Sequence, residues 1–268
     1  MKPLRHGASA WEGLAWSLRT RWSGHSTYLL YSRVRHPLNV IDRSTELVIE
    51  AFPRSANTFA TVAFQLSQPE PVRVAHHLHA PAQIIAAVRR DIPALVPVRH
   101  PRDAAISQAI RSPGVSLERT LAAYEHFHTK LLPYRTGILV AKFEDVTRDF
   151  GSVTQAVNQQ FGTRFSLFSH DPERVEQVYR MIDDRARAPH LAAAVTAYRS
   201  GRITRQEFEA RTRPDVGDLN KTDVPAHLVA RPIEGRRDLK AALQTAYESP
   251  RLHRTRTAAE AAYRRIIT

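Results

Sequence analysis

Between residues 46 and 165, short runs of β-branched and apolar residues alternate with stretches of helical periodicity. Glu46 to Phe52 reads as a strand and is followed at once by Pro53. Thr58 to Leu66 has the apolar spacing of a helix. Val72 to Ala75 is a second short strand, and Pro81 to Arg90 a helix with proline in its first turn. Ala94 to Val98 is a third strand, and a helix opens at Pro101 and runs to about Ile110. Leu117 to Leu132 is helical, Ile138 to Phe143 is a fourth strand, and Thr154 to Phe161 is helical again. This alternation predicts an α/β fold, a central parallel β-sheet flanked by helices. Ligands of such sheets sit at the carboxyl ends of the strands. Arg54 after the first strand and Arg99 after the third both fall there.

The chain has 268 residues, enough for one large α/β domain with a proper core. No domain boundary stands out, so 1–268 reads as a single domain. It comprises a basic aromatic segment (1–44), a core of alternating strands and helices (46–165) and a helical C-terminal part (166–268). The last part shows helical patches at Glu173 to Ile182, Leu191 to Tyr198 and Arg205 to Arg211. The absence of cysteine excludes disulfides, thiolate catalysis and cysteine-based zinc sites. The formal net charge of +13 fits a polyanionic partner, whether nucleic acid, an acidic membrane surface or a ligand with several phosphates. No apolar run approaches the ~20 residues of a membrane span, and the N-terminus lacks a secretory pattern. The expectation is therefore a cytoplasmic protein. Residues 1–44 interleave Trp11, Trp16, Trp22, Tyr28 and Tyr31 with arginines. They read either as an amphipathic segment in peripheral membrane contact or as a layer packed on the main domain.

Two local patterns carry chemistry. Pro53-Arg54-Ser55-Ala56-Asn57-Thr58-Phe59 joins a strand to a helix. Such a turn presents free backbone N–H groups and the positive end of a helix dipole. Arg54 adds a planar charged fork suited to phosphate or sulfate. The second pattern is Val98-Arg99-His100-Pro101-Arg102-Asp103-Ala104-Ala105-Ile106-Ser107. Here an arginine at a strand end and a hydroxyl on the second helical turn can close on one phosphate.

Together these patterns resemble the sulfotransferases that use 3′-phosphoadenosine 5′-phosphosulfate (PAPS). Residues 53–59 resemble the family's 5′-phosphosulfate loop, P-[KR]-S-G-[TN]-T-[WFY]. Residues 98–107 resemble its 3′-phosphate motif, R-x-P-[KR]-D-x-x-x-S. Lys142-Phe143-Glu144-Asp145 and Phe161-Gly162 resemble its later Y-E-D and F-L-G segments. The resemblance implies a P-loop NTPase-like sulfotransferase fold, PAPS as donor and adenosine 3′,5′-bisphosphate (PAP) as product. It assigns Arg54, Ser55, Ala56, Asn57 and Thr58 to the 5′-phosphosulfate, and Arg99 and Ser107 to the 3′-phosphate. Phe59 packs either on the adenine or on the core. Ala56 stands where the family has glycine, at a point where a positive φ is uncomfortable. The C-terminal cofactor segment matches poorly, and only Arg236 and Arg237 carry over as 3′-phosphate ligands.

Val74-Ala75-His76-His77-Leu78-His79-Ala80-Pro81 resembles the K-T-H-x-P segment of the family's cytosolic branch. Aligned on the proline, His79 takes the place of the catalytic histidine and His77 that of the lysine. An imidazole near neutral pKa suits removal of the acceptor hydroxyl proton. Three histidines so close could instead be structural or bind a metal, since His77 and His79 share a face of an extended segment. No Asp or Glu neighbours them in sequence, and the transfer needs no metal. His126 and His128 read as helix packing residues or as acceptor-pocket lining. The acceptor is a hydroxyl compound, a carbohydrate, glycan or small metabolite, and nucleic acid is not expected as a partner. The competing readings are a basic nucleic-acid-binding protein and an inactive sulfotransferase-like binding module.

Overall fold

The structure, a computed structural model, describes residues 6–187, 192–212 and 237–268. Four strands, β1 (Leu47–Ile49), β2 (Val74–His76), β3 (Ala94–Val98) and β4 (Leu139–Lys142), form an all-parallel sheet in the order β2-β1-β3-β4. In chain order the helices begin with α1 (His6–Trp22), α2 (Ser26–Arg35), α3 (Asn57–Ser67), α4 (Pro81–Val88), α5 (Pro101–Arg111) and α6 (Leu117–Leu131). After β4 come α7 (Phe143–Arg148), α8 (Phe150–Phe161), α9 (Pro172–Arg187), α10 (Ala192–Arg199) and α11 (Arg205–Thr212). The last two are α12 (Arg237–Tyr247) and α13 (His253–Ile267).

Side chains of a strand alternate between its faces, and here they separate two apolar layers. Val48 and Val96 face a layer that includes Trp16 of α1, Tyr28 of α2, Ile84 of α4, Leu121 of α6 and Ile266 of α13. Leu47, Ile49 and Leu95 face the other, with Phe64 of α3, Phe150 of α8, Val178 of α9 and Phe208 of α11. Both faces being covered explains why β1 and β3 are buried at every position.

Strand order decides where a ligand can sit. From β1 the chain crosses to β2 on one side and then to β3 on the other, so the connections part above β1 and β3. The crevice at such a reversal is where open parallel sheets bind ligands. The loops after β1 and β3 both open onto it.

β3 spans Ala94–Val98 as expected, while β1, β2 and β4 are shorter than the apolar runs suggest. β1 spans three residues, although Glu50 N–H still donates to the Leu95 carbonyl of β3 at 3.1 Å. Helix α8 starts at Phe150, not Thr154, because the Asp149 side chain accepts from Ser152 N–H at 3.1 Å and caps it. The C-terminal pair α12 and α13 escaped the periodicity reading. Helix α13 buries only the narrow stripe Ala259, Ala262 and Ile266, against α6 among others. The described part of the N-terminal segment packs on the domain through Trp16, Tyr28 and Leu29. No described helix is long and apolar enough to cross a membrane.

Candidate active site

Backbone conformation marks the site before any side chain does. Among the described residues, five non-glycine residues have positive φ, and four of them are Arg54 (68°), Ala56 (66°), His77 (59°) and His79 (53°). Such residues cost about 1–2 kcal/mol each and persist where surrounding structure holds them. These four occupy the two adjacent loops that leave β1 and β2.

In the first loop, left-handed residues at Arg54 and Ala56 flank Ser55. Alternating backbone handedness of this kind turns successive N–H groups into one concavity, a nest for an anion. Ala56 caps α3 without a side-chain hydrogen bond, so the first N–H groups of that helix stay available to a ligand. The fully buried Ser55 Oγ has no hydrogen-bond partner. Replacing Ala56 by glycine relieves the positive φ. The expected gain is about 1 kcal/mol, or about 2–4 °C in melting temperature, readable by thermal denaturation.

The two anion patterns meet in space. Arg54 Nε donates to Ser107 Oγ at 2.9 Å, across 53 residues of sequence. Arg99 Nη1 donates to the Arg54 carbonyl at 3.2 Å. The Arg99 guanidinium lies over the Phe143 ring at 4.1 Å, and its Nε is buried without a partner. Burial lowers the Arg99 pKa, with Asp103 and Glu144 pulling the other way. Proline fixes the geometry of the α5 start, and His100 Nδ1 caps it by accepting from Arg102 N–H at 3.3 Å. Ser107 therefore projects one and a half turns into a rigid helix beside Arg54.

Glu50 ties this loop to the histidine loop, and sequence reasoning missed it. Its carboxylate is fully buried at the end of β1. Oε1 accepts from Ala51 N–H (3.2 Å), Asn57 Nδ2 (3.1 Å) and His79 N–H (3.0 Å). Oε2 accepts from Leu78 N–H (2.8 Å) and Gln83 Nε2 (3.0 Å). Burial pushes the carboxyl up to about 8, against the pull of these donors. The only hint in sequence is an acidic residue closing an otherwise apolar strand.

His77 and His79 lie beyond β2, in left-handed turns, so they do not share the face of a strand as expected. His79 Nδ1 donates to the Ala51 carbonyl at 2.8 Å, which leaves Nε2 as the basic nitrogen of the neutral ring. Its side chain is 30% exposed. Burial first, and then the charges of Arg19, Arg54 and Arg199, hold its pKa down to about 4. His77 is more heavily engaged. Its Nε2 meets Thr58 Oγ1 at 2.9 Å and Arg199 Nη2 at 2.6 Å, and its Nδ1 meets His76 Nδ1 at 2.8 Å. Arg199, 1% exposed at the end of α10, is a second residue that sequence reasoning missed. Gly201 makes its approach possible: its φ is +65°, and a side chain there would collide with the Val72 carbonyl. Among the described residues no group of three or more His, Asp or Glu has metal-binding geometry.

Several expected ligands take other roles. Phe59 is 4% exposed, with its ring among Phe150, Phe168, His170 and Tyr179, so it belongs to the core and is closed to an adenine. The Asn57 amide nitrogen is committed to Glu50, which leaves its backbone N–H for a ligand. His128 is fully buried, with Nδ1 donating to the Tyr124 carbonyl at 2.9 Å, and is a packing residue. Arg236 lies outside the described residues. Arg237 is the exposed first residue of α12, a helix that packs on α5.

Compared with protein-family models, curated proteins and solved structures, the chain matches none of them.

Proposed function

We propose that this chain is a sulfotransferase that moves a sulfuryl group from PAPS to an acceptor hydroxyl, on a P-loop NTPase-like fold. The observation that carries the reading is the contact between the two anion motifs at the strand-order reversal. Arg54 reaches Ser107 and Arg99 reaches the Arg54 carbonyl, next to an imidazole whose Nε2 is free for a proton. Arg54, Arg99 and Ser107 thus converge from two loops, a donor set suited to an oxyanion. The buried Ser55 Oγ and Arg99 Nε lack partners in the protein, and an oxyanion ligand satisfies both.

PAPS supplies an activated sulfuryl group on a phosphate leaving group. The residues supply the rest. Loop N–H groups, Ser55 and Arg54 hold the 5′-phosphosulfate and stabilise charge on the leaving phosphate. Arg99, Ser107 and the start of α12 surround the 3′-phosphate. His79 Nε2 takes the acceptor proton while Ala51 holds the ring by Nδ1. His77, fixed between Thr58 and Arg199, is a positioning residue for the loop. Fixed cations do the charge stabilisation, so the scheme routes nothing through a metal.

Calorimetric titration tests the reading. PAP is expected to bind tightly and 5′-AMP weakly, because only PAP fills the Arg99–Ser107 position. In Arg99→Ala the preference shrinks at least tenfold, the loss of one charged hydrogen-bonded contact of about 1.5–3 kcal/mol. Equal affinity for the two nucleotides in the unmodified protein would sink the proposal and favour a general polyanion-binding role.

A further inference from the structure

The N-terminal helices expose apolar residues where a water-facing surface calls for polar ones. Of the large hydrophobic residues exposed among the described residues, all but Leu167 and Leu239 lie on α1 and α2. On α1 they are Trp11, Leu14, Leu18 and Trp22, exposed by 75%, 42%, 60% and 39%. At 100° per residue they fall within an arc of roughly 80°. That arc is opposite the face formed by Gly13, Trp16 and Thr20, which packs inward. Helix α2 repeats the pattern. Leu30, Tyr31 and Val34 point outward, opposite buried Tyr28, Leu29 and Ser32. The Trp22 and Tyr31 rings are 5.1 Å apart, so the two stripes form one patch.

Charge says what covers it. By the same helical spacing, Arg19 and Arg21 lie on either side of the α1 stripe, and Arg33 and Arg35 on either side of the α2 stripe. Residues 13–41 contain these four arginines and no Asp or Glu. An apolar ridge edged by arginines matches a bilayer interface, where acyl chains take the ridge and anionic headgroups take the edges. Each helix is anchored to the domain by its other face, so the patch is presented rigidly. The α1–α2 turn is joined to the histidine loop's helix by Ala82 N–H donating to the Ser23 carbonyl at 3.2 Å.

We infer that α1 and α2 seat the protein on an anionic lipid surface, lying in the interface without crossing it. The inference rests on the patch and stands whether or not the chain transfers sulfuryl groups.

The test is co-sedimentation of the full chain with vesicles of phosphatidylcholine alone and of phosphatidylcholine with about one third phosphatidylserine. Strong retention by the anionic vesicles and weak retention by the neutral ones is expected. Trp11→Ser with Leu18→Ser, both at exposed positions, lowers retention at least tenfold with an unchanged melting temperature. Arg33→Ala with Arg35→Ala lowers it by about 25-fold, from about fivefold per arginine, and narrows the preference for anionic lipid. Equal retention by both vesicle types overturns the proposal, as does retention by neither. So does a concentration-dependent dimer that the Trp11→Ser, Leu18→Ser pair dissolves without any vesicle binding, which assigns the patch to a second copy of the chain.

Discussion

In His79→Ala, the proposed sulfuryl transfer is expected to fall by about 10²- to 10⁴-fold, the usual worth of a positioned general base. PAP affinity should change by no more than a few-fold, because in the proposed scheme His79, held by Ala51 at 2.8 Å, makes no contact with the nucleotide. The pH profile carries a sharper signature. A base works while neutral, so activity is lost as pH falls through its pKa. For the free enzyme that limb of kcat/KM should lie near pH 4, the value to which burial and three arginines hold His79. An ordinary imidazole would place it near 6.5. A bound polyanion offsets the arginines and raises the pKa, so the limb in kcat should lie at higher pH than the limb in kcat/KM. This coupling also makes His79 a stronger base once donor is present. Near-normal turnover in His79→Ala, with a limb that does not move, rules out the base assignment.

The largest stability effect is expected at Glu50. Removing its carboxylate in Glu50→Ala leaves four donors without an acceptor, while Gln83 Nε2 keeps only its bond to the Asn39 carbonyl at 3.2 Å. At about 1–3 kcal/mol per orphaned group, partly relieved by relaxation, the cost should reach about 4 kcal/mol or more. Urea denaturation measures it directly. Glu50→Gln should rescue little, because its NH₂ sets two hydrogens among these donors where the protonated carboxyl sets one. The folded-state pKa is raised from 4.5 to about 8, so the native state binds the proton more tightly than the unfolded chain does. That contribution is fully present below about pH 4.5 and is lost as pH rises through about 8. The stability advantage of the native protein over the non-titrating Glu50→Gln should therefore shrink between those limits. A gap that widens with pH would show that the donors, and not burial, set the carboxyl's pKa.

Glu50 also shows how far a sequence can be read. The α/β class, the parallel sheet and the positions of Arg54, Arg99 and Ser107 were legible because they rest on local rules. Strand runs, a proline at a helix start and the offset of a hydroxyl along a helix all act within a few residues. Glu50 looked like one polar residue among apolar ones, and its five partners come from three separate segments. The roles of Phe59 and Asn57 were open for the same reason. Residue type says that a ring packs or an amide bonds, and only the fold supplies the partner.

By itself, then, the sequence determined the alternating elements, the excess of positive charge and the two arginine-bearing turns at strand ends, since each follows from periodicity or residue chemistry over short range. Only the tertiary structure decided that those turns touch, through Arg54 and Ser107, and that His79 keeps Nε2 free while His77 is bound up. It alone brought Arg199 to His77 across 122 residues and turned the apolar stripes of α1 and α2 outward. These depend on strand order and on which face of each helix finds a partner. Many distant groups set such contacts together, and no single stretch of chain encodes them.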